Sequence, residues 1–201
     1  MLIPALSLSE RDRHAGRLSE HQMRFVYRVV TDIVEGLGEQ FDMTAASRAV
    51  PPGAAEDAAV EPKTAELTDR RSLRIICFPA EDEVDRIRGR MLVQLLAARG
   101  HAADAAEVQA NSDAAADLVR QRAAECVMIS ALAPGGAIAA REGCQRLRQT
   151  EDGFKTVIGL WNAGGDLKAT QERLAAAGAD FVTASLTQGL HKIEQFAAPV
   201  S

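Results

Sequence analysis

Aromatic residues and basic clusters are scarce in this chain of 201 residues, which has one Trp, one Tyr and a formal net charge of −5. Nucleic-acid binding depends on clustered Lys and Arg side chains that contact phosphates. Here the arginines alternate with acidic residues along helix-like segments, a pattern typical of solvated helix faces. The sequence therefore predicts no nucleic-acid partner and no large aromatic binding surface.

Cysteine is also scarce: Cys77, Cys126 and Cys144 lie far apart, and none belongs to a Cys-x-x-Cys pair. This spacing disfavours a disulfide framework and a zinc site, and it is typical of reduced thiols in the cytoplasm. Cys77 and Cys126 fall within apolar, strand-like runs and are expected to be buried. Cys144 lies on a helix pattern and is expected to be partly exposed.

Long apolar runs are missing too. A membrane-spanning helix needs about 18 to 20 consecutive apolar residues, and the nearest candidate, residues 127–140, is interrupted by Pro134-Gly135-Gly136. Residues 1–6 lack the basic region of a signal peptide. We therefore expect a cytoplasmic protein, or the soluble part of a larger assembly at the inner face of a membrane.

Residues 1–43 carry a helical pattern. Apolar residues recur at three- and four-residue steps between Met23 and Leu37, and Gly36 and Gly38 are predicted to end this helix. Two capping boxes mark helix starts, Ser7 with Glu10 and Ser19 with Gln22. Because a single apolar stripe needs a surface to cover it, this segment is predicted to be an amphipathic helical arm that docks on a partner.

The next segment, residues 44–70, is rich in Ala, Pro and acidic residues and has hardly any large side chain. It cannot bury enough apolar surface to offset its ordering entropy, and it is predicted to be a flexible linker. The third segment, residues 71–201, alternates strand and helix patterns. Strands are predicted at 73–78, 103–108, 126–130, 155–160 and 180–183, and helices at 84–99, 113–123, 137–149, 166–177 and 186–196.

Five strand–helix units joined by short loops predict an α/β, flavodoxin-like domain. Its five-stranded parallel sheet should have the order 2-1-3-4-5 and carry helices on both faces. Any ligand should bind where the carboxyl ends of strands one, three and four meet. The loops expected there are 79–85, 130–136 and 159–165.

The first of these loops holds Glu81-Asp82-Glu83-Val84-Asp85-Arg86, whose carboxylates would repel a phosphate group. A phosphoacceptor receiver would need a carboxylate after strand three and a lysine after strand five, but Ser130 and Thr183-Ala184-Ser185 stand there. No histidine is expected beside Ser130 to activate it. Ala163-Gly164-Gly165-Asp166 fits either an anion-binding turn or, more simply, a glycine turn with Asp166 as N-cap. We expect no catalytic residue and no metal site.

Residues 73–188 resemble the cobalamin-binding domain of methionine synthase and corrinoid-dependent mutases and methyltransferases. The resemblance rests on Ser130-Ala131-Leu132, which matches the Ser-x-Leu motif after strand three, and on residues 90–101, which match the helix leading to strand two. That family also carries Asp-x-His-x-x-Gly after strand one and paired glycines after strand four. Its histidine ligates cobalt, and its glycines let the nucleotide tail pass.

The sequence departs from both of these signatures. Alignment places Glu83 at the Asp, Asp85 at the cobalt-ligating His and Arg88 at the Gly, and Gly159-Leu160-Trp161 stands where the paired glycines are expected. The resemblance therefore implies a relative that has lost its axial ligand, and no bound cofactor is expected. Any small-molecule ligand should contact six residues: Glu83, Asp85, Ser130, Leu132, Gly159 and Trp161.

The amino-terminal segment carries a second resemblance. Residues 2–14 and Phe25-Val26-Tyr27 resemble the cytoplasmic segment that follows the last membrane span in some bacterial permeases of the autoinducer-2 exporter family. Several of these permeases carry a cobalamin-domain-like tail. The resemblance implies that a membrane permease is the partner of residues 1–43, and that Met1 is not the biological start or that the tail is encoded separately.

The leading hypothesis is a non-catalytic regulatory or assembly domain associated with a membrane transporter. One alternative is a small-molecule or corrinoid sensor that binds without the histidine and stacks its ligand on Trp161. Another is an accessory subunit of a corrinoid-type enzyme. Self-association into a homo-oligomer is left open.

Overall fold

The computed structural model describes residues 2–48, 71–132, 135–161, 163 and 167–198. The predicted turn at 164–166 and all but the first five residues of the predicted linker lie outside these ranges. Within them, no helix is both long enough and apolar enough to cross a membrane.

The centre of the structure is a five-stranded parallel sheet with the order β2-β1-β3-β4-β5, which confirms the predicted fold class and strand order. Its strands are β1 Arg74–Pro79, β2 Ala102–Ala105, β3 Cys126–Leu132, β4 Lys155–Trp161 and β5 Phe181–Thr183. Register places Ser130 beside both Pro79 and Gly159, and Leu132 beside Trp161. The carboxyl ends of β1, β3 and β4 therefore meet at one edge.

Helices cover both faces of the sheet, because alternate strand residues point to opposite sides and both sets are apolar. The helices between and after the strands are α3 Glu83–Ala97, α4 Asp113–Gln121, α5 Gly136–Thr150, α6 Lys168–Ala176 and α7 Leu186–Ala197. On one face, α4, α5 and α6 pack on residues such as Phe78 and Ile129. On the other, α3 and α7 pack on residues such as Cys77 and Met128.

Two further helices precede the sheet, α1 Leu2–His14 and α2 Glu20–Arg48. The capping box at Ser19 is confirmed: Gln22 N donates to Ser19 Oγ at 3.3 Å, and Ser19 N donates to Gln22 Oε1 at 2.9 Å. The box at Ser7 is wrong, because α1 has already begun at Leu2.

The end predicted for the second helix is also wrong. Helix α2 runs through Gly36 and Gly38 and past the boundary expected at residue 43. A helical glycine costs only about 1 kcal/mol relative to alanine, and the first proline of the chain beyond it is Pro51. Gly38 has another role, since a Cβ at this position would lie 2.5 Å from Gln94 Nε2. Its small size lets Gln94 reach α2 and donate a hydrogen bond of 2.7 Å to the Val34 carbonyl.

The three thiols are free and buried. Cys77 and Cys126 lie in the core as predicted, and desolvation raises the pKa of each to about 12. The expectation of a partly exposed Cys144 is wrong, because Cys144 faces the sheet from α5 and is fully buried.

Candidate functional site

Three of the six predicted ligand residues come together on the α3 and α7 face of the sheet, at the carboxyl ends of β3 and β4. Ser130, Gly159 and Trp161 are all buried there. Trp161 Nε1 donates a hydrogen bond of 2.8 Å to Ser130 Oγ. The Ser130 carbonyl accepts a hydrogen bond of 2.8 Å from Ala80 N, which places the start of the loop after β1 at the same edge.

The indole of Trp161 fills the space directly above Gly159. Residues two apart on a strand share a face, and a Cβ added to Gly159 would lie 2.1 Å from Trp161 Cζ2. Trp161 is only 1% exposed. The expectation that Trp161 offers an open stacking surface is therefore not met, because its ring is a core side chain with its polar atom already bonded.

The loop after β1 is organised by its own carboxylates. Asp82 caps α3 by accepting a hydrogen bond from Asp85 N at 3.1 Å, and Asp85 Oδ2 accepts one from Glu81 N at 3.2 Å. Acidic residues at a helix start are stabilised by the helix dipole. The acidic residues of loop 81–86 are thus explained by helix capping and by the helix dipole of α3, without a ligand.

Asp85 is nevertheless unusual, because its side chain is 1% exposed and its Oδ1 has no hydrogen-bond partner among the described residues. Desolvation, reinforced by the neighbouring charge of Asp82, raises the pKa of Asp85 to about 7. Hydrogen bonding from the Glu81 amide and the positive charge of Arg88 oppose this shift. The carboxyl group therefore titrates near neutral pH, inside the protein.

Glu83 lies apart from this buried group, on the half-exposed side of α3. It forms an ion pair with Arg86, whose Nε lies 3.5 Å from Glu107 Oε2. Arg90 extends the network to Glu107 at 3.0 Å and to Glu35 of α2 at 3.4 Å. The predicted ligand residue Glu83 thus belongs to a surface ion-pair network.

The sixth predicted residue, Leu132, packs against the helical arm. It is half-buried beside a cluster that contains Leu6 of α1, Val30 of α2 and Val84 of α3. The apolar stripe of α2, expected to need a separate partner, is thus covered at Val30 and Val34 by this chain's own α3. Both arm helices contribute to the cluster that reaches the carboxyl end of β3.

A buried polar cluster forms where the arm meets α3, and the sequence analysis missed it. Glu10 of α1 is 2% exposed, lies 2.8 Å from Arg13 Nη2 and accepts a hydrogen bond from the hydroxyl of Tyr27 in α2. Arg88 of α3 is 1% exposed. Desolvation lowers the pKa of Arg88, while Asp85, Asp82 and Glu10 raise it.

Arg88 thus corrects the expectation that the arginines lie on solvated helix faces. The signal for it was available, since Arg88 follows Val84 by four residues and precedes Met91 by three, which puts it on the apolar side of α3. No comparable spacing in the sequence indicated that Glu10 and Tyr27 belong to the same buried cluster. They are 17 residues apart and meet only because α1 and α2 pack together.

A corrinoid does not fit these residues in the manner that the family resemblance implies. The position aligned with the cobalt ligand is a buried carboxyl, Asp85, beside the buried guanidinium of Arg88. The space next to Gly159, where paired glycines would admit a nucleotide tail, is filled by Trp161. Among the described residues, no group of three or more His, Cys, Asp or Glu side chains could hold a metal ion.

No protein-family model and no curated protein matches this chain. Among solved structures, it is similar to a crystal structure described as a novel cobalamin-binding protein from Desulfitobacterium hafniense DCB-2. The two are 14% identical with a TM-score of 0.52, over 96% of this chain and 78% of that one. Together with the observed strand order, this likeness confirms the predicted α/β, flavodoxin-like fold.

Proposed function

We propose that this protein is a non-catalytic regulatory or assembly domain in which the ligand edge of a cobalamin-binding-like fold is filled by the chain's own side chains. The observation that carries the proposal is the position of Trp161, buried over Gly159 and bonded to Ser130. A residue that completes the core at a ligand edge stabilises the empty fold and competes with any ligand for the same space.

Absence of catalysis is part of this proposal. Ser130 is fully buried, and its Oγ is engaged by Trp161. Nucleophilic catalysis needs a hydroxyl that reaches its substrate and a base that removes its proton. Asp85, a titratable group of this edge, is buried in the first turn of α3 and accepts a hydrogen bond from Glu81 N, so it is suited to a structural role.

A spectroscopic titration tests the filled edge. Hydroxocobalamin added to the purified protein should leave the corrinoid absorption spectrum, the melting temperature and the fluorescence of the sole tryptophan unchanged. A shifted corrinoid spectrum with quenching of Trp161 would instead support the corrinoid sensor, the alternative favoured by the structural likeness. Quenching by another metabolite, without a spectral shift, would support a different small-molecule sensor.

We further propose that the domain associates with a membrane transporter through α1. Support comes from the resemblance of residues 2–14 to a segment that follows the last membrane span of permeases, and from Leu8 of α1, which is 56% exposed. Leu6 of α1 packs in the cluster shared with α2 and α3, whereas Leu8 faces away from it, so α1 can present an apolar side chain to a partner while it stays docked.

Hydrogen exchange tests this association. Adding a permease of the autoinducer-2 exporter family in lipid nanodiscs should slow amide exchange in α1, and Leu8→Asp should remove the effect. The matched control is Ile138→Asp, which replaces a residue of α5 that is 64% exposed and should keep the effect. Equal exchange in α1 with and without the permease would contradict the association.

A further inference from the structure

Helix α2 has a second apolar row that α3 does not cover. Phe25 is 62% exposed, and Val29, Ile33 and Leu37 are 37%, 43% and 42% exposed. Residues four apart form one ridge along a helix, and this ridge extends over roughly 18 Å at 1.5 Å per residue. A contiguous exposed apolar row of this kind marks an interaction surface. We call it the α2 ridge.

The charges beside the α2 ridge change sign at its middle. Arg24 and Arg28 flank its first half and Asp32 its second half, and all three side chains are exposed. Neither Arg28 nor Asp32 forms an ion pair with another residue in the described ranges. A surface that is basic at one end and acidic at the other complements a copy of itself turned end to end.

The side chains at the two ends of the α2 ridge are also complementary in size. Gly36 lies on the exposed side of α2, and nothing lies within 4 Å of the position its Cβ would take. A helical glycine costs about 0.5 to 1 kcal/mol relative to alanine, and no contact within the described chain requires it. At the other end of the α2 ridge stands its largest side chain, Phe25.

We infer that the α2 ridge binds the same ridge of a second copy of this chain, with the two α2 helices antiparallel about a two-fold axis. Such an axis brings residue i of one copy to residue j of the other, and j to i. Val29 then lies opposite Ile33, Arg28 opposite Asp32, and Phe25 opposite Gly36. The midpoints of these pairs, 31, 30 and 30.5, lie within one residue of each other, which is about 1.5 Å along the helix, so one axis near residue 30.5 brings each pair within side-chain reach.

A groove supports the same arrangement. It has a volume of about 310 Å³ and is lined by His21, Arg24, Phe25 and Arg28. In the antiparallel pair this basic groove faces the acidic half of the partner helix, which includes Glu35, itself 60% exposed. The α2 ridge alone is smaller than the about 800 Å² per partner of a typical stable interface. The dimer should therefore be weak, and the dimer fraction should change with protein concentration.

Sedimentation equilibrium of the purified full chain tests this inference without a permease, so its outcome is independent of the proposed function. We expect a reversible monomer–dimer equilibrium that salt weakens. Arg28→Asp and Asp32→Arg should each weaken dimerisation at least tenfold, because two ion pairs become two like-charge contacts. The double variant Arg28→Asp/Asp32→Arg restores opposite charges and should recover most of the affinity.

Two further variants separate the α2 ridge from apolar surface in general. Ile33→Asp should abolish the dimer, whereas Ile138→Asp on α5 should leave it unchanged, each with an unaltered circular dichroism spectrum. A protein that stays monomeric up to millimolar concentration would overturn the inference and leave the α2 ridge to another partner, such as the permease. If both single charge variants lose the dimer and the double variant Arg28→Asp/Asp32→Arg does not restore it, the antiparallel arrangement is overturned.

Discussion

The indole nitrogen of Trp161 and the hydroxyl of Ser130 are joined by a buried hydrogen bond of 2.8 Å between neighbouring strands. This bond lies at the edge where a flavodoxin-like fold binds ligands. It satisfies the one polar atom of a large ring and so allows the ring to remain in the core.

Ser130→Ala should lower the free energy of unfolding by about 1 to 3 kcal/mol, because it leaves the buried indole N–H without an acceptor. Urea unfolding followed by Trp161 fluorescence measures the change. Ser72→Ala, at an exposed serine, is the control and should change stability by less than about 0.5 kcal/mol. Equal effects of the two variants would mean that the hydrogen bond contributes nothing.

Gly159→Ala should destabilise the protein by about 1 to 3 kcal/mol through overpacking. The added methyl group would lie 2.1 Å from the Trp161 ring, which has to move. Thermal unfolding measures the loss of stability, and a shifted fluorescence emission of Trp161 shows that the ring has moved. Gly135→Ala is the matched control, because Gly135 has helical φ and ψ angles and open space around its Cβ position; a similar loss there would argue against steric exclusion by Trp161.

Stability should decrease between about pH 4 and pH 7 through Asp85. The pKa of Asp85 is about 7 in the folded state, against an ordinary value of 3.8 for an aspartate side chain in water. In this window the unfolded state has lost the proton that the folded state keeps, so raising the pH favours unfolding, by up to about 4 kcal/mol. Above pH 7 the contribution levels off.

Asp85→Asn should remove this slope and make the protein more stable than the wild type at pH 8, with little difference at pH 4. Urea unfolding at several pH values measures both effects. Asp152→Asn, at an exposed residue, should leave the slope in place. An unchanged slope in Asp85→Asn would show that Asp85 is not the group responsible for it.

Val34→Asp should release the arm from the domain. Val34 is 2% exposed and packs in the cluster shared with α3, and an unpaired charge there costs several kcal/mol. Hydrogen exchange in α1 and α2 should become fast while β1 stays protected. Ile33→Asp, one residue away on the exposed side, should leave the arm docked; release by both variants would mean that α2 is held loosely throughout.

The strand order could be predicted because β1, β3 and β4 are short, largely apolar runs, and strand patterns alternate with amphipathic helices along the chain. The capping box at Ser19 could be predicted for the same local reason. The failures involve contacts between distant segments. The predicted helix end at Gly38 is wrong because the contact of Gly38 with Gln94, 56 positions away, leaves no trace in the local pattern.

The sequence by itself determined the α/β architecture, the acidic loop after β1 and the presence of Trp161 beside Gly159, since these depend on residue type and on spacing along the chain. Only the tertiary structure decided that Trp161 is buried, that the arm covers α3, and that Glu10 and Tyr27 meet near Arg88. The physical reason is that burial and the pKa of a group such as Asp85 depend on which distant surfaces exclude water from it. In the folded protein the acidic loop after β1 is a helix start, whose Asp82 and Asp85 carboxylates accept hydrogen bonds from nearby backbone amides.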